Sequence, residues 1–262
     1  MSSNNESTQK TLAVVFILCL FCSIVVAGTA VGLRQRQQQS QQLDQQRILL
    51  QMAGLWIADM PPSKINQVFK QRLEPRLVDL LSGQFAMGNA EVFDPYQAAQ
   101  QKQQSLAIAP EQDSAQIQHR ANQQRIYVVK QPSGKISSLI LPIYGNGLWN
   151  MMYAFIAIQA DGKTVQGLNY YQHGETPGLG GEVDNPLWQQ QWPGKQLFDT
   201  QGQLAIQLKK GGANATNPHA VDALSGATLT TKGVQGTLNF WLGPLGYGPF
   251  LANVQAGLLN HG

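Results

Sequence analysis

The sequence is poor in cysteine. Of 262 residues only Cys19 and Cys22 carry a thiol, and residues 34–262 have none. That stretch therefore holds no disulfide framework and no thiolate metal site. Charge is scarce as well: Asp, Glu, Lys and Arg make up 13% of the chain, and the net charge is +3. A nucleic-acid binder normally carries a dense basic patch, and no RNA- or DNA-binding motif is present. The four histidines are scattered. No His, Cys and carboxylate spacing suggests a metal site, and no nucleophile–base motif suggests a hydrolase. There is no internal repeat and only one long apolar run.

That run is residues 11–33, TLAVVFILCLFCSIVVAGTAVGL, without a single charge. At a rise of ~1.5 Å per residue, a helix of this length exceeds the ~30 Å hydrocarbon core of a bilayer. It reads as one transmembrane helix, following an N-terminal tail of residues 1–10. A cleaved signal peptide is the alternative, with VAGTA (26–30) imitating a cleavage site. Cys19 and Cys22, three apart on one helix face, read as packing residues in the bilayer. Arg34 and Arg36 after the run, against Lys10 and Glu6 before it, lean slightly toward a cytoplasmic C-terminal domain.

Residues 34–61 open with a Gln-rich spacer that lacks glycine and proline up to Arg47, so the helix is free to continue. Residues 62–262 read as one soluble domain of the α+β class, with a mainly antiparallel sheet and flanking helices. Pro62 and Ser63 begin a helix over 62–73. Residues 93–123 are polar, rich in Ala and Gln, and read as a loose excursion. Strands are expected over 125–130, 135–143, 152–159, 164–173 and 203–210, with turns at 132–134 and 160–162. A short helix is expected at 184–192. The last helix is placed at 228–242, with Val234, Leu238 and Trp241 on one side. The asparagine triplet at 214–216 matches a glycosylation pattern that is common by chance and carries no weight.

Three stretches carry chemistry. DALSGATLTT, residues 222–231, places many hydroxyls and little bulk at a helix start. One reading is an N-cap, with Ser225 or Asp222 accepting from backbone amides. The other is a phosphate site, because Gly226 and Ala227 leave room where unpaired amides and the helix dipole favour an anion. Thr228 then has its hydroxyl beside the phosphate. HGETPGLGGEV, residues 173–183, combines a turn at Pro177 and Gly178 with glycines that would let backbone approach a flat ring. Glu175 and Thr176 offer hydrogen bonds to the edges of such a ring. YGNGLW, residues 144–149, joins two strands; its aromatics are either core, or Leu148 and Trp149 wall a pocket. A lone histidine such as His219 is usually structural or solvated; proton transfer is the lesser alternative.

Asp222, Ser225, Gly226, Ala227 and Thr228, as D-x-x-S-G-A-T, match the flavinylation motif of the FMN-binding domain family. The resemblance implies FMN esterified through its phosphate to Thr228 by a separate flavin transferase that uses FAD and Mg²⁺. ETPGLG, with Gly178 and Leu179, resembles the loop beside the isoalloxazine ring in that family, and GNGLW resembles its pocket wall. In order and spacing, nearly the whole chain resembles the C subunits of bacterial Na⁺-translocating NADH:quinone oxidoreductases. What this implies is an electron-transfer subunit in the bacterial inner membrane, single-pass, its soluble domain on the periplasmic side. Its partners would be the other subunits, with electrons passing between a membrane iron–sulfur centre and the FMN of the B subunit. The periplasmic placement opposes the slight charge bias. The corresponding subunit of an Rnf-type complex carries a similar threonine motif, and a non-redox, membrane-anchored binding or assembly protein remains an alternative of another class.

Overall fold

The computed structural model describes residues 8–210 and 217–258. Most of the N-terminal tail and the triplet at 214–216 lie outside the described residues. The chain divides into two units, Met1–Gln45 and Gln46–Gly262.

The first unit is the bulk of α1, a helix that spans Thr8–Met52. Its segment Thr8–Arg34 has a mean hydropathy of 2.8 and none of its apolar window is buried. Among the described residues it is the one helix long and apolar enough to cross a membrane. Beyond it the Gln-rich stretch continues as helix, as unbranched side chains without an intervening glycine or proline allow.

The second unit takes in the end of α1 and continues through α2 (Pro62–Arg72), β1 (Leu73–Asp79), β2 (Gln84–Ala86), α3 (Pro95–Ala99), β3 (Ser105–Ala107) and β4 (His119–Ala121). There follow β5 (Gln123–Lys130), β6 (Ile136–Asn146), β7 (Met151–Gln159) and β8 (Val165–Gln172), a 3₁₀ turn at Gly180–Asp184, and α4 (Pro186–Gln189). The chain then forms β9 (Gln207–Lys209), β10 (Ala220–Asp222), α5 (Thr228–Trp241) and α6 (Gly248–Gln255).

Six strands form one sheet in the order β2-β1-β5-β6-β7-β8. Every neighbouring pair in it is antiparallel. Successive side chains on a strand point to opposite faces, and both faces of the middle strands are covered. On β6, Leu139, Leu141 and Ile143 join one core with Ile156 and Ile158 of β7, Val234, Leu238 and Trp241 of α5, and Phe250 and Leu251 of α6. Ile140, with Phe155 and Ala157 of β7, faces a second core made by Leu49, Leu50 and Met52 at the end of α1 and Ile65 of α2. Burial on both sides is why β6 and β7 read as continuous apolar runs rather than alternating ones.

Four expectations need correction. Residues 93–123 are not a loose excursion: Asp94 caps α3 by accepting from the Tyr96 and Gln97 amides, and β3 and β4 pair antiparallel. Ala98, Ala115 and Arg120 there are buried. The strand at 203–210 shrinks to β9, a parallel partner of β10. The helix at 184–192 splits into a 3₁₀ turn and the single turn of α4, capped by Asn185. Residues 73–79 and 248–255, left without an element by periodicity, are β1 and α6; Pro75 within β1 argues against a strand, and α6 is only eight residues long.

Candidate functional site

The three chemistry-bearing stretches meet at one end of the sheet. Residues 147–150 are the turn between β6 and β7, residues 173–184 follow β8, and residues 223–230 lead from β10 into α5. α5 lies directly on β6 because its glycines admit backbone: a Cβ on Gly233 would strike the Asn146 carbonyl, and one on Gly236 the Ser114 carbonyl.

The start of α5 differs from the cap read from the sequence. Neither Ser225 nor Asp222 caps it; the N-cap position is Ala227, with no side-chain hydrogen bond. Leu224 to Ala227 form a tight turn, closed by the Ala227 amide on the Leu224 carbonyl at 3.2 Å. Gly226 sits in this turn at φ 72°, a conformation that glycine takes without steric cost. The first amide of α5 to find an acceptor is that of Thr231, on the Ala227 carbonyl at 2.9 Å. Among the described residues, the amides of Thr228, Leu229 and Thr230 have no acceptor. They are the orphan donors of a helix N-terminus, where the dipole adds partial positive charge.

The hydroxyls of this segment have separate tasks. Thr231 Oγ1 accepts from the Leu224 amide at 3.1 Å and so closes the preceding loop. Thr230 is buried and donates to Glu175 Oε2 at 2.5 Å. Thr228 and Ser225 are exposed, and among the described residues neither hydroxyl has a hydrogen-bond partner. Asp222, at the end of β10, is tied through its backbone: its amide donates to Gln191 Oε1 and its carbonyl accepts from Trp188 Nε1. Trp188 and Gln191 hold the motif's first residue in place, and nothing in their spacing from it signalled this.

Around these three stretches large apolar side chains are left exposed. Leu148, Trp149, Leu179 and Leu229 are 46%, 64%, 45% and 57% exposed, large apolar side chains left open at the same end of the sheet. Trp149 is thus not a core aromatic, whereas Tyr144 is buried. Trp149 Nε1 donates to Thr176 Oγ1 at 3.3 Å, joining the first stretch to the second. Pro177 and Gly178 form the expected turn, with the Leu179 amide on the Thr176 carbonyl at 3.1 Å and Gly178 at φ 76°. Leu179 approaches the motif closely enough that a Cβ on Gly226 would lie 3.1 Å from its Cδ2.

Glu175 is buried behind these loops. Its Oε1 accepts from the amides of Leu148 at 2.9 Å and Trp149 at 3.1 Å, and its Oε2 from Thr230. His173 Nδ1 accepts from the Glu175 amide at 3.2 Å, so in the neutral ring Nε2 carries the hydrogen donated to Asp184 at 2.8 Å. The hydrogen bond to the Asp184 carboxylate raises the pKa of His173 above the ordinary histidine value, against the opposing effect of burial. His219 donates from Nδ1 to the Gln196 carbonyl at 2.9 Å, a structural contact. No group of three or more His, Cys, Asp or Glu residues suited to a metal ion occurs among the described residues.

An exposed hydroxyl, unpaired amides at a helix start and an apolar wall fit a phosphate carrying a flat aromatic body. The model of the FMN-binding domain family matches residues 147–243, which begin in the Trp149 turn and end just beyond α5. The C subunit of the Na⁺-translocating NADH-quinone reductase of Yersinia pestis is 57% identical over 259 residues, covering 99% of this chain and 97% of that one. The chain belongs to the family of C subunits of Na⁺-translocating NADH-quinone reductases. The Vibrio vulnificus member is 51% identical over 98% of this chain and all of its own length. The crystal structure of Shewanella oneidensis NqrC matches with a TM-score of 0.74 and 39% identity, over 80% of this chain and 96% of that one. The family member from Parabacteroides distasonis matches with a TM-score of 0.64 and 27% identity, over 84% and 96% of the two chains.

Proposed function

We propose that the protein is the FMN-bearing electron-transfer subunit of a Na⁺-translocating NADH:quinone reductase, with FMN held by a phosphoester to Thr228. The observation that carries this reading is the start of α5. Thr228 offers an exposed hydroxyl there, in the same first turn as the three amides that have no acceptor among the described residues. The amides and the helix dipole stabilise the phosphate's negative charge. Leu148, Trp149 and Leu179 supply apolar surface for the isoalloxazine, and Thr176 a polar edge. Gly226 and Ala227 keep the approach to Thr228 free of bulk. A threonine hydroxyl is a weak nucleophile and that of Thr228 has no hydrogen-bond partner among the described residues, so attachment falls to a separate flavin transferase.

When bound, FMN supplies transfer of one or two electrons, linking carriers of different type. The protein fixes its position and keeps it from dissociating while the domain faces successive partners. These are the membrane subunits with their iron–sulfur centre and the FMN of the B subunit. The segment Thr8–Arg34 anchors the chain in the inner membrane, with the second unit on the periplasmic side. Arg34 and Arg36, after the apolar run and still within α1, are a small bias, which assembly with other subunits overrides.

The test is co-production of the full chain with a flavin transferase, followed by denaturation and gel separation. A band with flavin fluorescence is expected. A colourless band from transferase-competent cells overturns the covalent reading and favours a binding module. Protease accessibility from the periplasm checks the orientation.

A further inference from the structure

We infer that Glu175 is a positioning residue for the flavin site: its buried carboxylate braces the site's walls against α5 and lowers the flavin's reduction potential. This rests on the flavin reading above. Three donors from two distant segments converge on this one side chain. The amides of Leu148 and Trp149 reach Oε1, and the hydroxyl of Thr230, in the first turn of α5, reaches Oε2. The turn that carries the exposed Trp149 ring is thereby tied to the helix that carries Thr228, with Glu175 bringing its own loop along. Bonds from N–H and O–H donors to a carboxylate are stronger than those between neutral groups.

The surroundings are shaped to this carboxylate. Gly147 precedes the two donating amides, and a Cβ there would strike Glu175 Oε1 and Met152 Sδ. A Cβ on Gly180 would come within 2.5 Å of both Glu175 Oε2 and Thr230 Oγ1. Gly147 and Gly180 thus make room for a protein side chain. The Glu175 carboxylate has no Lys or Arg ion-pair partner among the described residues. The one cationisable ring beside it is His173, whose Nδ1 already accepts from the Glu175 amide. A buried negative charge next to the flavin wall opposes the added electron density of a reduced ring, because Coulomb interactions are weakly screened where water is excluded.

Glu175→Gln separates the two roles. The amide oxygen still accepts from the Leu148 and Trp149 amides, its NH₂ reaches Thr230, and the charge is gone. Full-length Glu175→Gln, flavinylated by the transferase, is expected to match the native covalent flavin yield. Its midpoint potential is expected to rise, by roughly a tenfold change in the oxidised-to-reduced ratio at fixed potential, or about 30 mV for a two-electron couple. Thr230→Val breaks only the tie to α5 and keeps the charge. It is expected to leave the yield unchanged and to increase iodide quenching of flavin fluorescence as the Trp149 wall loosens. A native potential in Glu175→Gln overturns the electrostatic role, and native quenching in Thr230→Val overturns the brace. Failure of the flavin reading itself is distinct, since the native protein would then carry no covalent flavin.

Discussion

The starts of α3 and α5 are built on opposite principles. At α3, Asp94 accepts from two amides and Pro95 replaces a third donor. At α4, Asn185 accepts from the Leu187 amide and Pro186 again replaces a donor. α2 and α6 lack a side-chain cap but carry a proline in the first turn. α5 has neither cap nor proline. Where α2, α3, α4 and α6 each carry a proline, a side-chain cap or both, α5 has neither, and it is the helix that bears the threonine motif. A capped start adds stability; an open one next to a free hydroxyl keeps anion-binding capacity in reserve at some cost to stability.

The comparison breaks most sharply at Thr228. Thr228→Ala is expected to abolish covalent flavin and Thr228→Ser to retain it, read as fluorescence on a denaturing gel. Neither shifts the stability of the flavin-free domain by more than about 0.5 kcal/mol, as befits an exposed side chain with no hydrogen-bond partner among the described residues. Gly226→Ala comes next. It forces a positive φ on a residue with a Cβ and sets that Cβ against Leu179, so a loss of about 1 kcal/mol or more is expected in urea denaturation. Flavin yield falls with it. Asp94→Ala is the converse of Thr228→Ala: removal of the α3 cap costs about 1 kcal/mol and leaves flavin attachment at the native level.

The smallest effect is expected at Asp184. Its carboxylate raises the pKa of His173, so it favours the folded state most where His173 is protonated. That contribution is complete below the ordinary histidine pKa of about 6.5 and disappears as pH rises through the higher folded value. Asp184→Asn should therefore lower the His173 pKa followed by NMR. Its stability deficit relative to the native protein should narrow from pH 6 to pH 8.

The same contrast explains what the sequence disclosed. Strands β5 to β8 and helix α5 were legible because their burial is periodic or continuous over eight or more residues. The threonine motif, the turn at Pro177 and Gly178 and the exposed loop around Trp149 were legible because each is local. What stayed hidden depends on pairing across the chain. β1 carries Pro75 among its charged residues, and is a strand only because β5 and β2 flank it. Residues 93–123 look featureless, yet α3 is fixed by a local cap and Arg120 is buried by the fold. The same holds within the site. Glu175 read as a group reaching toward the ring, while the structure has both its oxygens engaged by residues 27 and 55 positions away. Thr230, one of the many hydroxyls of residues 222–231, is the buried partner that completes that brace.

The central claim is one covalent bond at the open start of α5. Mass spectrometry of the tryptic peptide of residues 211–232, from holoprotein purified with its complex, tests it directly. The account predicts a peptide heavier by FMN less one water, with fragment ions that place the addition on Thr228. An unmodified peptide from fully active complex would contradict it, as would the same mass on Ser225, Thr230 or Thr231.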